Sequence, residues 1–172
     1  MTKPYSIIPA ELEHANAIEF VLDEAFGLDR HTKTSYRLRE GSMAADGLSF
    51  VATSGDTLVG TVQFWPIVIG GDVSALLLGP LAVLPARQGE GIGLDLIATG
   101  MVEAKSHDHS LVVLVGDEPY YAKAGFRRFA GDAVSMPGPY DPARLLHAEL
   151  KEGAADGASG LILPPHRLRA AV

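Results

Sequence analysis

The sequence predicts a mixed α/β domain, one sheet covered by helices on both faces, and three observations predict it. Short apolar runs rich in Val, Ile and Leu alternate along the chain with longer stretches whose apolar residues recur at helical spacing. Hydrophobic residues make up 47% of the 172 and charged residues 20%, the balance of a globular domain with a core to fill. The stretch from 76 to 106, LLLGPLAVLPARQGEGIGLDLIATGMVEAKS, joins both periods in one unit of strand, glycine loop and helix.

Taken in order, residues 5–8 read as a first strand and 11–26 as a helix. Leu12, Ala15, Ile18, Phe20, Val21, Leu22 and Ala25 give that helix a broad apolar stripe, and Gly27 stops it. Arg30, His31, Lys33, Arg37 and Arg39 cluster around a short helix near 36–40; by themselves they read as a basic surface loop. Residues 48–53 and 57–69 form a hairpin around Ser54-Gly55-Asp56. Pro66 interrupts its second strand, which predicts a bulge or an exposed end there. Phe64 and Trp65 read as core, with a place in a pocket wall as the alternative.

After the turn at Gly70-Gly71-Asp72, residues 76–84 read as a strand buried on both faces, kinked or bulged at Gly79-Pro80 and ended by Pro85. The helix after the glycine loop has Leu94, Ile97, Ala98, Met101 and Val102 along one face and Asp95, Thr99 and Glu103 opposite. His107-Asp108-His109 is a polar turn; two histidines with no further ligands grouped beside them do not predict a metal site. Residues 111–115 form a β-rich strand, and Pro119 suits the first turn of the helix after it. Residues 129–136 and 144–150 read as two more strands, and 151–172 as loop or a short edge element. The order is β-α-α-β-β-β-α-β-α-β-β.

Composition narrows the function. Fourteen basic against twenty-one acidic residues give a net charge of −7, which disfavours nucleic acid and anionic membranes as partners and favours a cationic or neutral one such as an amine. The chain has no cysteine, which excludes disulfides, thiolate metal sites and a cysteine nucleophile. No apolar run reaches the ~18–20 residues of a membrane helix, and the first residues lack a long apolar leader segment. The expectation is one domain over 1–172 in the cytoplasm.

The glycine loop points to chemistry. Gly89, Gly91 and Gly93 alternate directly before a helix, whose N-terminus presents unpaired N–H groups and positive dipole charge to an anion. Gly93-Leu94-Asp95 lacks the lysine and hydroxyl of a Walker loop, and the G-x-G-x-G spacing is not that of a dinucleotide fingerprint. A glycine-rich turn without a ligand is the plainer alternative. Gln88-Gly89-Glu90-Gly91-Ile92-Gly93 resembles the Q/R-x-x-G-x-G/A motif of the GCN5-related N-acetyltransferase (GNAT) superfamily. Tyr121-Ala122-Lys123-Ala124-Gly125-Phe126 resembles the same superfamily's Y-x-x-x-G-F signature, at the matching separation. The whole phrase is most similar to a bacterial subfamily of predicted acetyltransferases.

The resemblance implies a mostly antiparallel sheet splayed between its fourth and fifth strands, with the pantetheine arm of acetyl-coenzyme A entering the gap. It implies that backbone groups of Leu81, Ala82 and Val83 bind the pantetheine and acetyl carbonyl. The loop of Arg87, Gln88, Gly89, Glu90, Gly91, Ile92 and Gly93 would hold the pyrophosphate; Arg87, Lys123, Arg127 and Arg128, within the two motif blocks, read either as local positive charge or as a solvated surface face. Tyr121 would serve the leaving sulfur, with Tyr120 beside the coenzyme, and the first helix–loop–helix would wall the acceptor side. Relatives often carry a carboxylate base on the central strand, but Leu76, Leu77 and Leu78 offer none. Glu24 is the first substitute, Asp117 the second, and water alone the third. The implied function is acetyl transfer from acetyl-CoA to an amine of a small molecule or a peptide by direct attack, in a monomer or homodimer without a metal. The alternative is an acyl-CoA-binding sensor without turnover.

Overall fold

The computed structural model describes residues 3–170. Its strands are β1 (Ser6–Pro9), β2 (Ser49–Ser54), β3 (Thr57–Ile69), β4 (Val73–Val83), β5 (Leu111–Val115), β6 (Arg127–Arg128), β7 (Val134–Ser135), β8 (Leu145–Glu149) and β9 (Gly160–Leu163). Its helices are α1 (Ala15–Phe26), α2 (Thr34–Arg39), α3 (Ile92–Ser106), α4 (Glu118–Tyr121) and α5 (Pro165–Ala170). The main sheet runs β1-β2-β3-β4-β5-β8-β6, and every neighbouring pair in that path is antiparallel except β4–β5. No described helix is long and apolar enough to cross a membrane.

Both faces of β4 and β5 are covered. Leu76, Leu78, Val112 and Leu114 pack under α3 with Phe64, Leu96 and Ile97. Leu77 and Val113 point the other way, into a cluster with Leu38 of α2, Ile67, Leu145 and Ile162. Val21 and Leu22 of α1 close the same side further along, over Val51, Leu58 and Ala82.

The Gly79-Pro80 step is a bulge. Val62 of β3 faces Leu81, but Phe64 faces Leu78, so Gly79 and Pro80 together stand opposite Gln63; the peptide between them is cis. An extra residue shifts the inside–outside alternation by one. Leu76 and Leu78 face α3 before the bulge, and Leu81 and Val83 pack against that cluster after it. Pro66 causes no bulge. The Phe64 N–H donates to Leu48 on the β2 edge, and two residues on, Pro66 turns its missing N–H to that same edge, between the last β2 partner and β9. Its ring therefore removes no ladder bond.

Three further expectations change. The apolar face of α3 runs through Ile92, Gly93, Leu96, Ile97, Gly100 and Ala104, whereas Val102 is exposed. The stripe shifts because two glycines sit on the buried face: a Cβ on Gly100 would overlap the Phe64 ring, and one on Gly93 the Tyr120 hydroxyl. The strand expected over 129–136 shrinks to β7, which pairs parallel with β9; β6 ends before Phe129 and pairs antiparallel with β8, and Gly131, with φ +68°, lies in the turn between the two. The segment after 150 supplies the expected edge strand, β9, and additionally the short helix α5.

Candidate active site

β4 and β5 are joined only at Leu76–Val112 and Leu77–Val113. Beyond those pairs the strands fork. β3 pairs one edge of Leu81, Ala82 and Val83, and the edge turned toward β5 has no strand partner. A cavity of about 530 Å³ fills the fork, walled by Leu78 to Leu81 on one side and Leu114 to Asp117 on the other. Tyr120 and Tyr121 close one end, and α2 with the loop around Tyr140 closes the other.

The glycine loop lies where β4 hands over to α3. Gly89 and Gly91 have φ of +88° and +90°, a left-handed geometry that a side chain would strain. Gly91 is the N-cap of α3, and among the described residues no backbone acceptor takes the N–H groups of Gly89, Glu90 or Gly91. Ile92 and Gly93 open the helix, where N–H groups have no intrahelical partner. The result is a run of donors at the positive end of a four-turn helix, able to receive an oxyanion. Gln88 turns back to donate to the Val83 carbonyl at 3.4 Å. Arg87 pairs with Glu90 at 2.5 Å, and that contact holds the Glu90 carboxyl below its usual range.

Of the other cations near the motifs, Arg127 pairs with Glu149 and Arg128 with Glu118. Lys123 is exposed and makes no ion pair among the described residues. Asp95, in the first turn of α3, accepts from Lys3 and Tyr5, which ties β1 to the loop. Burial works against its charge, but the two donors outweigh it and lower its pKa.

The Tyr-x-x-x-Gly-Phe segment has a physical reason. Gly125 takes φ +90°, the Phe126 N–H donates back to the Tyr121 carbonyl at 3.1 Å, and the Gly125 N–H to Ala122 at 3.0 Å. That double bond ends the helical turn and swings Phe126 into the core under α3. Tyr121 stacks edge-on against Phe126 and lies so close to Gly116 that a Cβ there would overlap its ring. Its hydroxyl is pushed up to about 12, first by burial and then by the neighbouring Tyr120 and Asp117. Tyr120 is more exposed and rests its hydroxyl on Gly93.

Not every expected residue meets the fork. Glu24 is exposed on α1 and does not line the cavity; Asp117 does, with its carboxylate 3.3 Å from Arg144. Phe64 is core, while Trp65 lies on the opposite face near Arg39. The basic segment around α2 is not uniformly a surface loop: Arg37 is exposed, but Arg30 and Arg39 are 3% and 8% exposed, and Arg39 lines the cavity. Nothing local separates these two arginines from Arg37; tertiary placement alone does.

The family model for the acetyltransferase (GNAT) domain matches residues 45–128, a span from before β2 through β6. The uncharacterized N-acetyltransferase YjhQ of Escherichia coli is 33% identical over 129 residues, 73% of this chain and 71% of its own. The uncharacterized N-acetyltransferase YhbS of Escherichia coli is 29% identical over 150 residues, 86% of this chain and 89% of its own. The crystal structure of YhbS in complex with CoA superposes with a TM-score of 0.83 and 24% identity, covering 98% of this chain and 94% of YhbS. A GNAT family acetyltransferase from Brucella melitensis, in complex with acetyl-CoA, superposes with a TM-score of 0.62 and 29% identity, covering 83% and 94%. With its forked sheet, its glycine-capped α3 and these relatives, the chain belongs to the GNAT acetyltransferase family.

Proposed function

We propose that this protein, as a single domain over 1–172, transfers an acetyl group from acetyl-CoA to an amine by direct attack. The observation that carries the reading is the fork itself. It joins an unpaired strand edge and a protonated tyrosine in one cavity, and Tyr120, which lines that cavity, rests its hydroxyl on Gly93 in the loop of free N–H groups. The loop from Arg87 to Gly93 holds the pyrophosphate, and the pantetheine amides bond the free edge of Leu81, Ala82 and Val83 as a strand would. The relatives from Escherichia coli and Brucella melitensis crystallised with CoA and acetyl-CoA support that assignment.

In the reaction the amine lone pair attacks the thioester carbonyl carbon, and the carbonyl oxygen gains charge against backbone N–H groups of β4. The C–S bond then breaks, and Tyr121 donates a proton or a hydrogen bond to the departing sulfur, while the new amide nitrogen loses a proton to water or to Asp117. Burial keeps the Tyr121 hydroxyl protonated, as this role requires. Tyr120 supports the loop through Gly93 and contacts the coenzyme. Glu24, outside the cavity, has no path to the amine except through solvent. The protein works in the cytoplasm, as a monomer or homodimer, on an acceptor that is neither nucleic acid nor membrane.

A sensor that binds acyl-CoA without turnover is the second reading, favoured by the absence of a carboxylate on β4 where the fork opens. Thiol release from acetyl-CoA across an amine panel separates the two. Release that depends on an amine supports the enzyme; tight coenzyme binding with no release for any amine supports the sensor.

A further inference from the structure

Two arginines of the segment around α2 are buried, and they are balanced differently. Arg30 takes both Glu19 and Asp23 of α1 as ion-pair partners. Arg39, the last residue of α2, has no carboxylate partner among the described residues. Its guanidinium lies 4.2 Å from the centre of the Tyr36 ring and 5.9 Å from that of Trp65, which offer π faces but no counter-charge. Burial pulls it down to about 10, which leaves it cationic at neutral pH. Its Nη1 edge faces the bulge: a Cβ built on Gly79 would lie 3.2 Å away, and both residues line the cavity.

The other charged groups of the cavity are already engaged. Arg144 pairs with Asp117, the Asp141 carboxylate accepts from the Ala143 N–H, and the Lys33 ammonium lies over the Phe26 ring on the exposed rim. Holding a full charge away from water without a counter-ion is costly, and an oxyanion arriving at Arg39 would offset that cost.

We infer that Arg39 anchors a carboxylate of the acceptor, so that the substrate is a small amine carrying a carboxylate. This rests on the reading that amine acetylation occurs in the fork. The planar guanidinium, with one face against Tyr36, presents its edge as a fork that matches a carboxylate's two oxygens. Gly79 is two residues from Leu81, a span of at most ~7 Å, so the amine and the carboxylate stand only a few bonds apart, as in an amino acid. The net charge of −7 does not oppose this, because a buried cation acts at contact range while surface charges are screened.

Calorimetric titration of the wild type, with and without saturating CoA, uses L-amino acids, their α-amides and inorganic phosphate as probes. At least one amino acid is expected to bind ~10-fold or more tightly than its amide, and Arg39→Gln should bring that pair within ~3-fold. Arg39→Lys, which keeps the charge but loses the fork, should recover part of the preference. Amides that bind as well as acids overturn the inference, as does a preference that survives Arg39→Gln or a protein that takes phosphate and no amino acid. If Arg39→Gln does not fold, the acid–amide comparison on the wild type decides. Failure of CoA itself to bind would strike the acetyltransferase reading, and the acid–amide comparison would still stand by itself.

Discussion

The Tyr120 hydroxyl rests on Gly93 so closely that the glycine has no room for a methyl group. Gly93 belongs to the first turn of α3 and Tyr120 to α4, so this contact locks the anion-receiving loop to the tyrosine pair at the mouth of the fork. Alanine is a better helix former than glycine by ~1 kcal/mol, but Gly93→Ala must displace Tyr120. Coenzyme affinity is expected to fall ~10-fold while the fold survives, read by calorimetry beside a melting curve. Unchanged affinity would mean that the contact only packs.

Acetyl-CoA at ~100 times its dissociation constant should stabilise the protein by about 2.7 kcal/mol. Gly91→Val should abolish most of that shift, because a β-branched residue is disfavoured at φ +90° and would project beside the pyrophosphate. Melting with and without coenzyme checks both expectations. A normal shift in Gly91→Val would make the loop a structural turn.

Tyr121→Phe should lower single-turnover acetyl transfer by ~10²-fold and leave coenzyme affinity nearly unchanged, since it deletes a proton donor and keeps the ring against Phe126. The folded-state pKa of Tyr121 is raised to about 12, so the stability it contributes is full below the ordinary value of 10 and is lost as pH rises through 12. Spectrophotometric titration of tyrosinate in wild type and Tyr121→Phe should therefore differ only in the most alkaline step. Equal transfer rates for the two proteins would remove Tyr121 from the chemistry.

Much of this site was legible because its motifs are backbone devices. Gly89 and Gly91 are needed for left-handed φ and Gly125 for a helix stop, and such requirements persist wherever the rest of the fold goes. Gly79-Pro80 announced its bulge for the same reason. The face of α3 was misjudged because hydrophobic periodicity counts side chains, and here Gly93 and Gly100 are buried by the rings of others. Arg39 was unreadable on similar grounds. Charge predicts exposure, and only the tertiary placement of α2 against the bulge brings that guanidinium indoors.

Gly100→Ala should destabilise the fold by ~1–3 kcal/mol, the range for overpacking a filled core, because the added methyl meets the Phe64 ring. A chemical denaturation series measures it, and pairing the change with Phe64→Leu should recover part of the loss. Full additivity of the two changes would show that the glycine and the ring are not in conflict.

Asp95→Asn keeps an acceptor for Tyr5 but loses the charge facing Lys3, and should cost about 1 kcal/mol at neutral pH once the exposed lysine end is discounted for solvent screening. The folded-state pKa of Asp95 lies below its ordinary value of 3.8, so its contribution is complete above that value and fades as pH falls through the lower one. Wild type and variant should differ in melting temperature at neutral pH and converge as pH falls below the lowered folded-state value. A gap that persists in acid would assign the loss to packing.

The ladder of two residue pairs between β4 and β5 has a consequence for how the molecule comes apart. It is the seam between the β1–β4 ladder and the smaller ladder of β5, β8 and β6, with α3 packed across both. Amides zipped into β2 and β3 should exchange with deuterium only on global unfolding, whereas those bordering the seam can open by a smaller, local rupture. A guest that lays its own amides along the free edge of β4 would act as a missing rung, damping that local opening.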